Sequence, residues 1–81
     1  MFITYCKDVD GKKYDRYFKT WEAAENALQD GLKDILNIGG KELSNKDYFN
    51  FEKGLQIRYV ELKTEAHKYT LSLFASFFED D

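Results

Sequence analysis

The sequence predicts an α+β fold in which two β-hairpins flank one helix, in the order ββαββ. Residues 1–7 and 13–19 are rich in β-branched and aromatic residues, with an Asp-Gly pair between them. Apolar residues then recur every three or four positions, and two further alternating segments follow. We therefore expect a four-stranded antiparallel sheet with one main helix, about residues 20–38, packed on one face. With 81 residues, the chain has room for a single domain, 1–81.

The first hairpin is predicted by Asp10-Gly11, because both central positions of a tight hairpin turn need positive φ. Symmetric pairing about this turn places three pairs of residues opposite each other: Ile3 and Phe18, Tyr5 and Arg16, and Asp8 and Lys13. The predicted core face of the hairpin carries Ile3, Tyr5, Tyr14 and Phe18.

The aspartates around Gly11 could also begin a calcium loop of the EF-hand type. Counted from Asp8, however, the glycine stands fourth instead of sixth, and Lys19 occupies the position of the required glutamate. The stretch therefore predicts a turn and no metal site.

The helix is predicted from Thr20 to the glycines at 39–40. Thr20 is a favourable N-cap, Glu22 places negative charge in the first turn, and the glycines can end the helix. Its apolar stripe consists of Trp21, Ala24, Leu28, Leu32 and Ile35. Ala27 and Gly31 flank the stripe and would allow close approach to a sheet.

Residues 41–54 leave three interpretations open. Ser44 could cap a short helix ending at Gly54, the segment could be an irregular loop, or Phe49 and Phe51 could alternate along a strand. The sequence slightly favours a short helix or a loop.

The second hairpin is predicted from strands at 55–62 and 68–78, joined by a turn at 63–67. Its predicted core face comprises Leu55, Ile57, Tyr59, Leu71, Leu73 and Ala75.

Charge and composition bound the function. The net charge is −3, which argues against nonspecific binding of nucleic acid. The single cysteine excludes an internal disulfide, and Lys7 and Asp8 interrupt any leader-like apolar run at the start. The longest apolar stretch is too short for a membrane helix. We expect a cytoplasmic protein that does not bind membranes.

Catalysis would require a nucleophile with a base in reach. Cys6 and His67 are the only thiol and imidazole, and we interpret them as a strand residue and a turn residue, with a small enzyme using either as the minor hypothesis. The glycine pair follows the helix, whereas a phosphate-binding loop precedes one. We therefore expect no enzyme and no cofactor.

The outer face of the predicted sheet supplies the main functional hypothesis. It carries Phe2, Tyr17, Val60, Leu62 and Phe74, and Phe78 would extend it at the end of the last strand. An apolar surface with a polar rim is typical of a site that binds a partner protein or a second copy of the chain. Two other interpretations stay open: the register is wrong by one residue, or residues 48–51 cover this face.

The basic first hairpin supplies the alternative, a small regulatory nucleic-acid-binding module. The candidate phosphate contacts are Lys12, Lys13, Arg16 and Lys19, and Tyr14 and Tyr17 lie among them. Nearby aspartates dilute this charge, so nucleic acid is the less favoured partner.

The start of the helix resembles the N-terminal half of HicB-type antitoxins, in which a hairpin leads into a helix with a Thr-x-Glu-Glu-Ala-like run. The matching residues are Thr20, Glu22, Ala23, Ala24, Asn26 and Ala27. The resemblance implies a partial RNase H fold and an antitoxin-like function. The proline-, glycine- and cysteine-containing loop that precedes the helix in that family is absent here, and we assign no family.

Taken together, these features predict a small, non-catalytic protein that binds another protein. Size and a proline-free composition rich in Lys, Asn, Tyr and Phe suit a bacterial or phage accessory protein that inhibits or modulates a partner enzyme.

Overall fold

The computed structural model describes residues 2–77, which form one five-stranded antiparallel sheet and one helix. The elements in chain order are β1 (Ile3–Val9), β2 (Lys12–Phe18), α1 (Trp21–Asn37), β3 (Lys41–Asn50), β4 (Leu55–Lys63) and β5 (Lys68–Ser76). The strand order in the sheet is β2-β1-β5-β4-β3. The α+β class and the antiparallel sheet are confirmed. The predicted order ββαββ with four strands is wrong, because the order is ββαβββ with five.

The first hairpin has the predicted turn and register. Asp10 and Gly11 adopt φ values of 53° and 91°, as a tight turn between twisted strands requires. The Asp8 carboxylate accepts a hydrogen bond from the Gly11 N–H at 2.7 Å. Ile3 pairs with Phe18 and their side chains share a face, which fixes the face of every other residue in the hairpin.

The helix begins and ends at the expected signals. The Thr20 hydroxyl accepts a hydrogen bond from the Ala23 N–H at 3.2 Å. At the other end Gly39 has φ 92°, and the Gly40 N–H donates to the Ile35 carbonyl at 2.9 Å. This left-handed ending satisfies carbonyls that the helix leaves free.

The core lies between α1 and one face of the sheet. Its buried members are Ile3, Tyr5, Ala24, Leu28, Leu32, Ile35, Val60, Leu62, Tyr69, Leu71, Leu73 and Ala75. The main contacts of α1 are with β5, β1 and β2. Gly31 permits the close approach, because a Cβ there would lie 2.6 Å from the Tyr5 hydroxyl oxygen.

Residues 41–50 form β3, so the preference for a short helix or a loop in this segment was wrong. β3 is an edge strand, and most of its side chains are exposed on both sides. Its sequence lacks the alternation that half-buried strands show. Backbone pairing with β4 makes it a strand, with a register irregularity between Glu42 and Ser44.

The face assignment of β4 was also wrong. Val60 and Leu62 are fully buried under the helix, whereas Leu55, Ile57 and Tyr59 lie on the opposite face. On the helix side the first half of β4 carries Gln56 and Arg58 instead of apolar residues, so the apolar residues of this strand change face between Tyr59 and Val60.

Candidate protein-binding face of the sheet

The sheet face opposite α1, which we call the open face, is bare of any element among residues 2–77. Direct cross-strand partners share a face, so the register identifies its side chains. They are Lys13, Asp15 and Tyr17 of β2; Thr4, Cys6 and Asp8 of β1; Lys68, Thr70, Ser72, Phe74 and Ser76 of β5; Leu55, Ile57, Tyr59, Glu61 and Lys63 of β4; and Lys41, Ser44, Lys46, Tyr48 and Asn50 of β3.

One end of the open face carries a row of large apolar side chains that crosses the sheet. Tyr17, Thr4, Phe74, Ile57 and Tyr48 are successive cross-strand partners from one edge to the other. We call the apolar members of this row, together with Phe2, the aromatic patch: Phe2, Tyr17, Tyr48, Ile57 and Phe74.

The aromatic patch is accessible to a partner. Tyr17 is 65% exposed and Phe74, in the middle of the sheet, is 43% exposed. The row spans four inter-strand steps of about 4.8 Å, hence about 19 Å. A face of this kind normally carries mostly polar side chains when it meets only water.

The other end of the open face carries three lysines side by side. Lys41 is the partner of Lys63, and Lys63 is the partner of Lys68, so one row of the sheet has three like charges on adjacent strands. We call these three residues the lysine row. Lys41 and Lys63 also line a shallow depression of about 460 Å³, together with Leu43 and Glu65.

Small and charged residues separate the two ends. The open face carries five strand lysines against three acidic residues, Asp8, Asp15 and Glu61. It therefore has an excess of two positive charges on a chain whose net charge is −3. The open face therefore combines a local excess of positive charge with exposed aromatic rings.

Three of the five predicted site residues lie on the open face: Phe2, Tyr17 and Phe74. Val60 and Leu62 do not, because both are buried in the core. Ile57 and Tyr48 take their place in the patch. Residues 48–51 do not cover this face, because Tyr48 extends it as part of an edge strand. Phe78 lies outside the described residues.

The basic hairpin does not form a single cationic surface. In β2, Lys12 and Arg16 lie on the helix side of the sheet and Lys13 lies on the open face, while Lys19 follows the end of the strand. The Lys12 ammonium lies over the Tyr14 ring at 5.6 Å and the Arg16 guanidinium over the Phe18 ring at 4.9 Å. These contacts orient the two cations along the hairpin itself.

Cys6 and His67 are also far apart. Cys6 lies on the open face opposite Ser72, and His67 precedes Ser72 by five residues, or about 16 Å along the strand. Burial, and then the hydrogen bond and charge of Asp15, raise the pKa of the Cys6 thiol. A raised pKa disfavours the thiolate, which is the reactive form.

His67 instead joins two turns at the lysine end of the sheet. Its Nδ1 lies 2.6 Å from one oxygen of the Asp10 carboxylate, and the other oxygen accepts a hydrogen bond from the Lys68 N–H at 2.8 Å. Asp10 thereby connects the β1–β2 turn to the β4–β5 turn. The arrangement is structural, since each polar atom of the Asp10 carboxylate already has a partner.

A groove of about 420 Å³ lies on the other side of the sheet, between α1 and β2. Lys7 and Arg16 line one wall and Asp30 and Asp34 the other. Burial raises the pKa of Tyr5 on the floor of the groove, while nearby Arg16 lowers it and Asp34 raises it. Because the charges of the two walls balance, the groove has no clear preference for a charged ligand.

Comparisons with models of known families, with curated proteins and with solved structures give no match for this chain. The resemblance of the helix start to HicB-type antitoxins therefore assigns no family. Within residues 2–77, no three His, Cys, Asp or Glu side chains are grouped as metal ligands. The described helix is not long and apolar enough to cross a membrane.

Proposed function

We propose that this protein is a non-catalytic binding module that docks another protein on the open face, with the aromatic patch as the centre of the interface. The observation that carries the proposal is the row across the uncovered face, to which four of the five strands contribute a large apolar side chain and β1 contributes Thr4. Tyrosine and phenylalanine are the residue types enriched at the centres of protein interfaces.

The physical support is the free energy of binding that burial of these exposed apolar side chains would provide. When a partner covers an aromatic side chain of the patch, a large apolar area is removed from contact with water. This burial contributes about 25 cal/mol of binding free energy per Å². The residues between the rings, such as Thr4 and Ser72, are small and leave the rings accessible to a partner.

We further propose that binding inhibits or modulates the partner, as expected of an accessory protein. Covering a surface of an enzyme can block its substrate or its assembly, and this needs no chemistry from the binding module. We also propose that the interaction takes place in the cytoplasm, for which the single cysteine is the support.

The experiment compares the patch with an equally exposed aromatic residue on the other face. Phe49 is 60% exposed and lies on the helix side of β3, so Phe49→Ser is a matched control for Tyr17→Ser and Phe74→Ser. A protein captured from cells by the wild-type chain is purified, and its affinity for each variant is measured by calorimetry.

We expect Tyr17→Ser and Phe74→Ser each to weaken binding at least tenfold, because truncation of a central aromatic residue costs about 2 kcal/mol or more. Phe49→Ser should bind like the wild type. If no purified protein binds in a way that depends on the patch, or if Phe49→Ser weakens binding equally, the proposed function is wrong.

A further inference from the structure

The arrangement of charge and apolar surface on the open face points to the chemistry of the partner, an inference that rests on the proposed function. We propose that the partner is a protein with two features about 20 Å apart, an acidic cluster that contacts the lysine row and an apolar surface that contacts the aromatic patch. The separation follows from the six residue steps from Lys68 to Phe74 along β5, each of about 3.3 Å.

The lysine row is unfavourable for the isolated fold. Like charges directly opposite each other on neighbouring strands destabilise a sheet, and here the unfavourable pairing occurs twice in succession. Among residues 2–77, no ion pair with a carboxylate compensates Lys41, Lys63 or Lys68. The carboxylate closest to Lys68 in the register, that of Asp10, already binds His67 and the Lys68 backbone. Carboxylates from outside the chain would remove this repulsion.

A second copy of the chain does not supply such carboxylates when the two lysine-bearing halves of the sheet pack on each other. In a face-to-face dimer the two-fold axis lies in the plane of the interface. If the axis runs along the strands through β4, the middle strand of the lysine row, each lysine row faces the other lysine row. If the axis runs across the strands, each lysine row faces the aromatic patch of the other copy. Both arrangements bury cations without counter-charge, which is costly, so a different, acidic partner fits the open face better.

A single-stranded nucleic acid fits less well than an acidic protein. Proteins that bind single strands place cations alongside the aromatic residues, so that phosphates and bases of successive nucleotides are bound together. Here the lysine row and the aromatic patch lie at opposite ends of the face. The residues between them carry both signs of charge, with Lys13 and Lys46 against Asp8, Asp15 and Glu61. Segregated charge and apolar surface match a folded partner or a peptide with the same segregation.

The test uses three fluorescein-labelled probes and measures their binding by anisotropy at low and at physiological salt. The first is a peptide with a run of glutamates at one end, a Leu-Phe-Leu segment at the other and a Gly/Ser linker that spans about 20 Å. The second has the same composition in scrambled order. The third is a single-stranded oligothymidylate of the same net charge.

We expect the segregated peptide to bind most tightly and to bind more weakly at physiological salt. Lys63→Glu with Lys68→Glu should weaken its binding about tenfold, since the charge reversal turns two attractions into repulsions. The matched control is Lys33→Glu with Lys12→Glu, in which one lysine lies on the helix and the other on the helix side of β2, and it should bind like the wild type. Urea unfolding confirms that each variant is folded.

Two outcomes would overturn the inference. One is equal binding of the segregated and scrambled peptides, or binding that is insensitive to the charge reversal at 63 and 68. The other is tighter binding of the oligothymidylate with dependence on Phe74, which would make nucleic acid the ligand. If the captured protein needs Phe74 but tolerates the reversal at 63 and 68, the inference fails while the proposed function stands.

Discussion

The two faces of β5 differ completely although their side chains alternate along one strand. Leu71, Leu73 and Ala75 are 0% exposed beneath α1, whereas Ser72 and Phe74 between them face away from the helix. On the covered face, apolar side chains of the strand pack against the apolar stripe of α1. On the open face, a large aromatic ring stands among small polar residues with no element of the described chain above it.

This comparison shows that apolar character alone does not decide which side of a sheet becomes the core. What decides is where the covering element lies. α1 makes its main contacts with β5, β1 and β2, and β3 contributes no residue to the buried core. Apolar residues on the uncovered side are then available for another molecule.

The largest predicted difference is between two neighbouring residues of β5. Leu73→Ala should lower the free energy of unfolding by about 2–5 kcal/mol, because it removes buried methyl groups and leaves a cavity. Phe74→Ala should change it by no more than about 1 kcal/mol, since the ring is already partly in water. Urea unfolding followed by circular dichroism measures both.

A cost for Phe74→Ala as large as that for Leu73→Ala would break the comparison. It would mean that the ring is buried in solution, and that the open face is covered by the chain itself or by a second copy. Light scattering of the wild-type protein over a concentration series distinguishes these two cases.

Much of the fold could be predicted from local signals in the sequence. Asp10-Gly11 permits only a tight turn, and a tight turn fixes the register of the strands on either side. Thr20 and Gly39 mark the helix ends by their own hydrogen bonds and dihedral angles. These features depend on residues close in sequence, so the sequence contains them directly.

The errors occurred where the structure depends on distant contacts. β3 is a strand because β4 pairs with it, and its exposed, mostly polar residues carry no periodic signal of their own. In β4 the apolar residues change face along the strand, from Leu55, Ile57 and Tyr59 in its first half to Val60 and Leu62 in its second. Neither face is apolar throughout, so the alternation does not show which of them faces the core, and it is Val60 and Leu62 that are buried. The residues predicted for the outer face therefore lie on that face in the first hairpin and in β5, whereas those predicted in β4 lie in the core.

On the covered face, adding a side-chain atom at the position where α1 is closest to the sheet should destabilise the fold. Gly31→Ala places a Cβ 2.6 Å from the Tyr5 hydroxyl oxygen, and relieving this contact should lower the free energy of unfolding by about 1 kcal/mol despite the better helix propensity of alanine. In the background of Tyr5→Phe, which lacks that oxygen, Gly31→Ala should be neutral or stabilising. Thermal unfolding of the four proteins of this cycle measures the coupling.

If Gly31→Ala costs the same free energy with tyrosine or phenylalanine at position 5, the contact is not the reason for the glycine. The helix would then lie farther from β1 than the structure indicates.

On the open face, a smaller effect of opposite sign is expected at the centre of the lysine row. Lys63→Gln removes two like-charge contacts, with Lys41 and with Lys68, and should raise the free energy of unfolding by about 0.5 kcal/mol at low salt. Added salt should shrink the gain, because it screens the repulsion in the wild type. The control Lys33→Gln, on the helix, should show no such gain. Destabilisation by Lys63→Gln would mean that the row is already compensated in the free protein.

The smallest effect on the free energy of unfolding is expected for Asp10, in the β1–β2 turn beside the lysine row. The hydrogen bond from the Lys68 N–H, and then the one from His67, hold the pKa of the Asp10 carboxyl below its ordinary value of 3.8. A lowered pKa in the folded state means that the charged carboxylate contributes stability above pH 3.8 and that this contribution is lost as the pH falls through the lowered pKa.

Asp10→Asn keeps an acceptor for the Lys68 N–H and suits the left-handed backbone at this position, φ 53°, but has no charge to lose. The difference in unfolding free energy between the wild type and Asp10→Asn should therefore shrink as the pH falls below 3.8. A difference that is the same at acid and neutral pH would show that the carboxylate charge plays no part in joining the two turns beside the lysine row.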